Sequence, residues 1–335
     1  MKALVTGANG FIGSNLCKSL IQSRQMVVGL VRESSDLTFL ESLSDLQIIK
    51  GDITEKDSLI AGMQDVAVVY HTAGYVSDWG FWKNFHEANV EGVRNVMEAA
   101  LYCGVKRVVH ISSVSVYGFL GGIDIDENTP LVSRPDSPYI TTKTEGEKLA
   151  LSYNSDKLSV TVIRPAGVYG PNDHTTTLQL VPAILCRHFG YVDGGKHIMA
   201  CVYIDNLVQM IILAGEKKNA PGQIYNAVDE GKITWKQYIE WMCEDLECKT
   251  PWLSAPRWIA WPLAVLIDNF ARVFKKKESP MINKYRLRVV MNDNHYSAEK
   301  AKKELGYRPE VSTREGIKRT VQWYLDYTGQ KKNGS

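Results

Sequence analysis

The sequence predicts an α/β fold, a doubly wound parallel sheet with a smaller C-terminal lobe, and three observations carry that expectation. Short β-branched runs alternate with longer helical segments through the first two-thirds of the chain. The strands read as continuous apolar runs, which belong in a parallel sheet covered on both faces. The first strand runs into closely spaced glycines that open a helix, the local pattern at the edge of a doubly wound sheet.

In chain order, KALVTG is the first strand and is followed by a helix to about Ser23. MVVGLVR, LQIIKGD and VAVVYHTAG supply three more strands, and ANVEGVRNVMEAALYCG has the apolar spacing of an amphipathic helix. KRVVHISS and SVTVIRPAG continue the alternation, with a helix over 139–154 between them. After about Gly170 the alternation weakens. HIMACVYI and GQIYNAVD look like late strands returning to the sheet region. The expected organisation is a dinucleotide-binding domain over 1–170, rejoined by 197–229. A substrate lobe takes 171–196 and 230–328, and a polar disordered tail takes 329–335.

A chain of 335 residues holds one large domain, or a main domain with a lobe. Its formal net charge of +2 gives no reason to expect a nucleic-acid partner and makes small molecules the default. The start, MKALVTGANGFIG, lacks the long apolar run and cleavage site of a signal peptide, so a cytoplasmic location is expected. Cys17, Cys103, Cys186, Cys201, Cys243 and Cys248 have no metal-site spacing, so reduced structural thiols and no metal are expected.

The most specific local pattern is ALVTGANGFIGSNL, which spaces Gly7, Gly10 and Gly13 as G-x-x-G-x-x-G between a strand and a helix. Glycine there lets the backbone turn tightly and lets a pyrophosphate approach the unpaired N–H groups of the helix N-terminus. A dinucleotide site follows.

With what comes after it, this segment resembles the extended short-chain dehydrogenase/reductase family, whose motif is TGxxGFIG. The resemblance covers nearly the whole chain in the right order and implies a Rossmann sheet. It carries Asn9, Phe11 and Ile12 into the cofactor loop, with Asp52 and Ile53 as an adenine-contacting pair and Thr72, Ala73 and Gly74 as the cofactor-side turn. His71 is expected to be structural. At the end of the second strand the chain has Val31 and Arg32 where NAD-binding relatives place a carboxylate. Arg32 is read as meeting a 2′-phosphate, so NADP is preferred with NAD still possible; the alternative for Arg32 is a solvated loop charge.

In HISSVSVYG the resemblance points to Ser113 as the catalytic serine, with Ser112 and Ser115 as near rivals. Downstream, SPYITTKTEGE supplies Tyr139 and Lys143 in the family's YxxxK arrangement, four residues apart and so on one helix face. A tyrosine hydroxyl titrates near 10, so a neighbouring ammonium is needed to make it useful as a proton acceptor or donor at neutral pH. Asn89 matches a helix asparagine that supports the site, although a helix N-cap is an equal reading. Pro165 and Ala166 fall beside the nicotinamide. Gly167 stands where nucleotide-sugar epimerases and dehydratases typically carry an asparagine, as in RYFNVYGP.

GYVSDWG, SSVSVYGF, RPAGVYGP and NKYRLRVVMNDNHYSAEKAKKELGYRP resemble the branch of 3β-hydroxysteroid dehydrogenases, sterol-4-carboxylate 3-dehydrogenases and dihydroflavonol reductases. That branch implies an NAD(P)-dependent oxidoreductase acting on a hydroxyl or ketone of a bulky apolar molecule. Tyr75, Val76, Trp79, the segment 119–138 and the C-terminal lobe would line the pocket. The alternatives are a nucleotide-sugar epimerase with tightly held NAD, and a non-catalytic dinucleotide sensor. The resemblance also implies a homodimer packed through helices near 88–104 and 139–154. Finally, 251–277, with Trp252, Trp258, Trp261 and a lysine cluster, reads either as a lid helix or as a peripheral membrane contact.

Overall fold

The computed structural model describes residues 1–274, 276 and 278–329; most of the tail assigned to 329–335 lies outside them. Seven strands form one parallel sheet: β1 (Lys2–Thr6), β2 (Met26–Val31), β3 (Leu46–Lys50), β4 (Val68–His71), β5 (Arg107–Ile111), β6 (Ser159–Pro165) and β7 (Ile224–Ala227). Their spatial order is β7-β6-β5-β4-β1-β2-β3. The order reverses between β1 and β4, which opens a crevice at the carboxyl ends of those strands. The register pairs Thr6 with His71 and His71 with His110, so the ends of β1, β4 and β5 stand level.

Alternation along each strand builds two cores. Leu4, Val69, Val108 and Val160 face one layer, with Val96 and Met97 of α2 (Gly92–Tyr102) and Ala150 of α3 (Pro138–Ser152). Ala3, Val5, Tyr70, Val109 and Ile163 face the other, with Leu16 and Leu20 of α1 (Phe11–Gln22) and Leu207 and Ile211 of α4 (Ile204–Glu216). The central strands are thus apolar on both faces, the condition a helix-covered parallel sheet imposes, whereas edge strand β3 leaves Gln47, Ile48 and Lys50 exposed.

GQIYNAVD becomes β7 and rejoins the sheet beside β6. HIMACVYI does not: Cys201–Tyr203 pairs with Gly167–Tyr169 in a separate two-stranded sheet. The reason is that the edge place next to β6 is already taken by β7. Of two further short pairs, Gly122–Ile125 with Asn294–Tyr296 stitches the C-terminal lobe to the main body, and Tyr191–Val192 with Ser254–Ala255 joins the two pieces of the lobe. That lobe carries α5 (Arg257–Val273) and α6 (Lys284–Val290), packed against each other. Among the described residues no helix is long and apolar enough to cross a membrane.

One ion pair is enclosed in the core. Arg164, in otherwise apolar β6, is 2% exposed and holds Glu147 of α3 through Nε–H at 2.9 Å and through Nη2. Ser112 donates to the same carboxylate at 2.6 Å, and the remaining guanidinium edge donates to the Tyr117 hydroxyl at 2.6 Å. A buried pair gains stability only when its remaining lone pairs and protons are also met, and these contacts meet them. Arg164→Met is expected to cost about 3–5 kcal/mol by leaving Glu147 uncompensated, whereas Glu147→Met with Arg164→Met is expected to recover most of the loss. Urea unfolding of the two variants checks this; equal losses would contradict it.

Candidate active site

Because all seven strands are parallel, their carboxyl ends and the loops after them share one edge of the sheet. Gly7 follows β1 with φ +65°, and a Cβ there would stand 2.9 Å from Ala73 Cα. A Cβ on Gly13 would stand 2.2 Å from the Gly7 carbonyl oxygen, so the first turn of α1 can sit on the loop only with glycine at that position. Gly10 caps α1 with no side-chain hydrogen bond, which leaves the first turn's N–H groups to a ligand. Asn9, Phe11 and Ile12 are half-buried around this turn. Together these residues fit a dinucleotide pyrophosphate, with an uncapped helix end over a bare backbone cradle.

The turn after β4 closes on the same loop. Thr72 Oγ1 donates to the Thr6 carbonyl at 2.7 Å, and the Ala73 N–H donates to Thr6 Oγ1 at 3.3 Å. A Cβ on Gly74 would lie 3.0 Å from Asn89 Oδ1 and 3.9 Å from Lys143 Nζ, so the turn after β4 touches the Asn89–Lys143 cluster. Pro165 ends β6, and the Ala166 N–H donates to the Ala227 carbonyl at 2.9 Å. Arg32 and the pair Asp52 and Ile53 lie away from this centre, beyond β2 and β3. Arg32 is exposed, and the nearby Ser35 Oγ is buried without a hydrogen-bond partner. Asp52 Oδ1 is occupied by the N–H and hydroxyl of Thr54, at 2.9 and 2.8 Å. Ile53 packs against Gly92, and its carbonyl accepts from Asn95 Nδ2 at 3.0 Å.

The three serines separate by direction. Ser112 is spent on Glu147, and the Ser115 hydroxyl is buried without a partner. Ser113 accepts the Ser115 N–H at 3.1 Å, and its hydroxyl lies near enough to Tyr139 to lower that group's proton affinity. Tyr139, Lys143 and Glu147 follow one another at one-turn intervals on α3 and share a face. Lys143 is 6% exposed and donates from Nζ to the Ile111 carbonyl at 2.6 Å. Burial lowers its ammonium to about 8, against the pull of Glu147 in the other direction. Burial raises the Tyr139 hydroxyl, and the Ser113 hydroxyl draws it back. His71 and His110 stand beside this cation with ring centroids 5.3 Å apart. Burial first, and the Lys143 charge second, hold His71 down to about 3 and His110 well below its usual value. Both are therefore neutral, and His71 serves structure through its 2.8 Å bond to Thr6.

Asn89 is not a helix N-cap. It lies within a π-helical turn, Glu87–Glu91, that joins the short helix Trp82–His86 to α2. The extra residue of a π turn redirects a side chain: Asn89 clamps the Tyr75 backbone by accepting its N–H at 2.8 Å and donating to its carbonyl at 3.1 Å, and it also donates to Thr142. A Cβ on Gly146 would stand 2.1 Å from the Asn89 carbonyl oxygen, so glycine lets α3 press against this turn.

The lobe roofs the centre. Tyr285 of α6 meets Tyr139 edge-on with centroids 6.4 Å apart, and Phe119 meets Tyr285 at 5.6 Å. Trp79 is buried, donates its indole N–H to the Lys276 carbonyl at 2.9 Å and lies under Arg272. Tyr75 packs edge-on to Phe85, whereas Val76 is 69% exposed and turned away. Asp78 binds Arg286 and Asn283, and Asp136 binds Arg288, which straps α6 across the opening. The sequence reading had not named Tyr285, Glu147 or Arg164. For the last two the signals were present: a carboxylate one turn beyond Lys143, and a lone charge in an apolar strand.

Known proteins resemble the chain over nearly its whole length. The chain is 28% identical over 320 residues to 4-hydroxy-2-methyl-3-oxo-4-farnesyl-3,4-dihydroquinoline-1-oxide ketoreductase of Stigmatella aurantiaca, covering 95% of each chain. It is 28% identical to 3 beta-hydroxysteroid dehydrogenase/Delta 5-->4-isomerase of Mycobacterium tuberculosis, covering 99% of this chain and 92% of that one. Its fold is similar to UDP-glucuronic acid 4-epimerase from Bacillus cereus in complex with NAD, with a TM-score of 0.78, 25% identity and coverage of 98% and 99%. The sequence pattern of one family matches residues 3–227, and the chain therefore belongs to the NAD dependent epimerase/dehydratase family, as an NAD-dependent enzyme of the short-chain dehydrogenase/reductase type.

Proposed function

We propose that this enzyme is an NADP(H)-dependent oxidoreductase that interconverts a ketone and a hydroxyl on a bulky, largely apolar molecule of steroid or terpenoid character. The observation that carries the reading is the buried Tyr139 one helical turn from Lys143, roofed by the ring of Tyr285, which Phe119 backs in turn. Gly167, exposed where an asparagine would hold a sugar nucleotide, points the same way, as do the names of the two relatives.

The nicotinamide, when bound, supplies or takes the hydride. The remaining work falls to the chain. Ser113 holds the substrate oxygen. Tyr139, kept protonated by its burial, gives its phenolic proton to that oxygen during reduction and takes it back during oxidation. Lys143, fixed by the Ile111 carbonyl, stabilises the phenolate left behind. Asn89 is a positioning residue that holds the Tyr75 loop and the start of α3. Arg32 and the unpartnered Ser35 hydroxyl offer a charged and a neutral donor to a 2′-phosphate. A cytoplasmic location and a homodimer through α2 and α3 belong to the same reading.

A second reading is a nucleotide-sugar epimerase with tightly bound NAD, and the likeness to the Bacillus cereus epimerase favours it. Titration with NADPH and NADH, followed by a screen of ketosteroids, flavanonols and nucleotide sugars, separates the two. Purified chain carrying stoichiometric NAD and turning over sugar nucleotides alone would overturn the first reading.

On a confirmed ketone, Tyr139→Phe is expected to lower kcat about 100- to 10,000-fold without weakening NADPH binding; unchanged turnover would remove Tyr139 from the chemistry. Reduction is expected to be level below about pH 8 and to fall above it as Lys143 loses its proton. That break is expected to be missing from the residual rate of Lys143→Met. Arg32→Asp is expected to raise the KM for NADPH about 10- to 100-fold, equivalent to ~1.5–3 kcal/mol for a hydrogen bond to a charged group. The KM for NADH should not rise with it.

A further inference from the structure

α5 buries its alanines and exposes most of its large apolar residues, Trp261 packing inward as an exception. The inward face is Ala260, Ala264, Asp268 and Ala271. Trp258, Leu263, Leu266, Phe270, Val273 and Phe274 are between 45% and 75% exposed. At about 100° per residue they occupy one arc of roughly 160°, in which the other residues are Ile259, Pro262 and Asn269, with no charge. A helix whose only task is to close a lobe puts its large apolar residues inward.

The outward face is held there firmly. At the start of α5 the Arg257 N–H and guanidinium both donate to Asp193, at 2.8 and 2.7 Å. In the middle, buried Asp268 takes Arg272 at 2.9 Å and Lys284 at 3.2 Å. Past its end, the Lys276 carbonyl accepts from Trp79. Trp252, in the segment leading into the helix, is 82% exposed.

We propose that α5 seats in the surface of an anionic bilayer, its axis in the membrane plane and its apolar face at the boundary of headgroups and acyl chains. Trp252 and Trp258 fit the headgroup level. Charge complementarity favours lipid over a second copy of the chain. With Arg257 set against Asp193 and Arg272 against Asp268, the sequence between 249 and 278 still carries Lys249, Lys275, Lys276 and Lys277 against Glu278. Two copies joined through this face would set cation against cation, whereas anionic headgroups answer both ends. Seating α5 in lipid is independent of which substrate Tyr139 serves.

Sedimentation of the full chain with sucrose-loaded vesicles tests this, using phosphatidylcholine alone and phosphatidylcholine with phosphatidylglycerol. The chain is expected to pellet with the anionic vesicles, to pellet less with the neutral ones and to be released as salt is raised. Leu266→Glu with Phe270→Glu is expected to lower the partition coefficient at least about tenfold, or ~1.4 kcal/mol, with the thermal midpoint unchanged. Replacing Lys275, Lys276 and Lys277 by Glu is expected to remove the preference for anionic vesicles. Failure to pellet with either composition overturns the proposal. So does a dimer in sedimentation velocity that Leu266→Glu dissociates, because the face would then be a contact between copies.

Discussion

An ammonium with almost no water around it governs the arrangement of this molecule. Removing Lys143 from solvent disfavours its charge, and the surrounding residues offset that only in part. The Ile111 carbonyl accepts a hydrogen bond from one of its N–H groups, and Glu147 contributes a negative charge one turn further along α3. Glu147 is itself enclosed and requires Arg164, and Arg164 requires Tyr117, whose hydroxyl passes on to Asn226 at 2.9 Å. A single buried cation thus commits β6, β7, α3 and the turn after β5 to one another. In a medium of low polarity each unmet member of such a chain would be costly, so the set holds together as a unit.

The same burial gives the site its chemical character. The ammonium is lowered while the Tyr139 hydroxyl is raised, so burial leaves the tyrosine holding its proton more tightly and the lysine holding its own less tightly. Neighbours that would compete for the proton are neutral: His71 and His110 are too deeply enclosed to ionise. The π turn at Asn89 and the close packing permitted by Gly146 join the Tyr139–Lys143 face of α3 to the turn at Gly74.

Much of the site was legible because its signals are local. Gly7, Gly10 and Gly13 are spaced by the geometry of one turn, and Tyr139 and Lys143 by the pitch of one helix, so no distant residue is needed to recognise them. The choice among Ser112, Ser113 and Ser115 was not legible. Three hydroxyls within four residues differ only in direction, and direction is set by Glu147 and Tyr139 from another part of the chain. The strand at Cys201–Tyr203 was misplaced for a related reason: its composition suits any buried sheet, and competition with Ile224–Ala227 for the edge of β6 decides which pair forms.

By itself the sequence determined the doubly wound sheet, the phosphate loop, the identity of the tyrosine and lysine, and the unusual composition of 251–277, because periodicity and short-range spacing encode all of these. The tertiary structure alone decided that Tyr285 roofs Tyr139, that Asn89 sits in a π turn, that Arg164 answers Glu147, and that α5 turns its alanines and Trp261 inward and Trp258 and Phe270 outward. Each of these depends on which surfaces meet across long sequence separations, and a pattern of residue types along one chain does not specify which partner a given face will find.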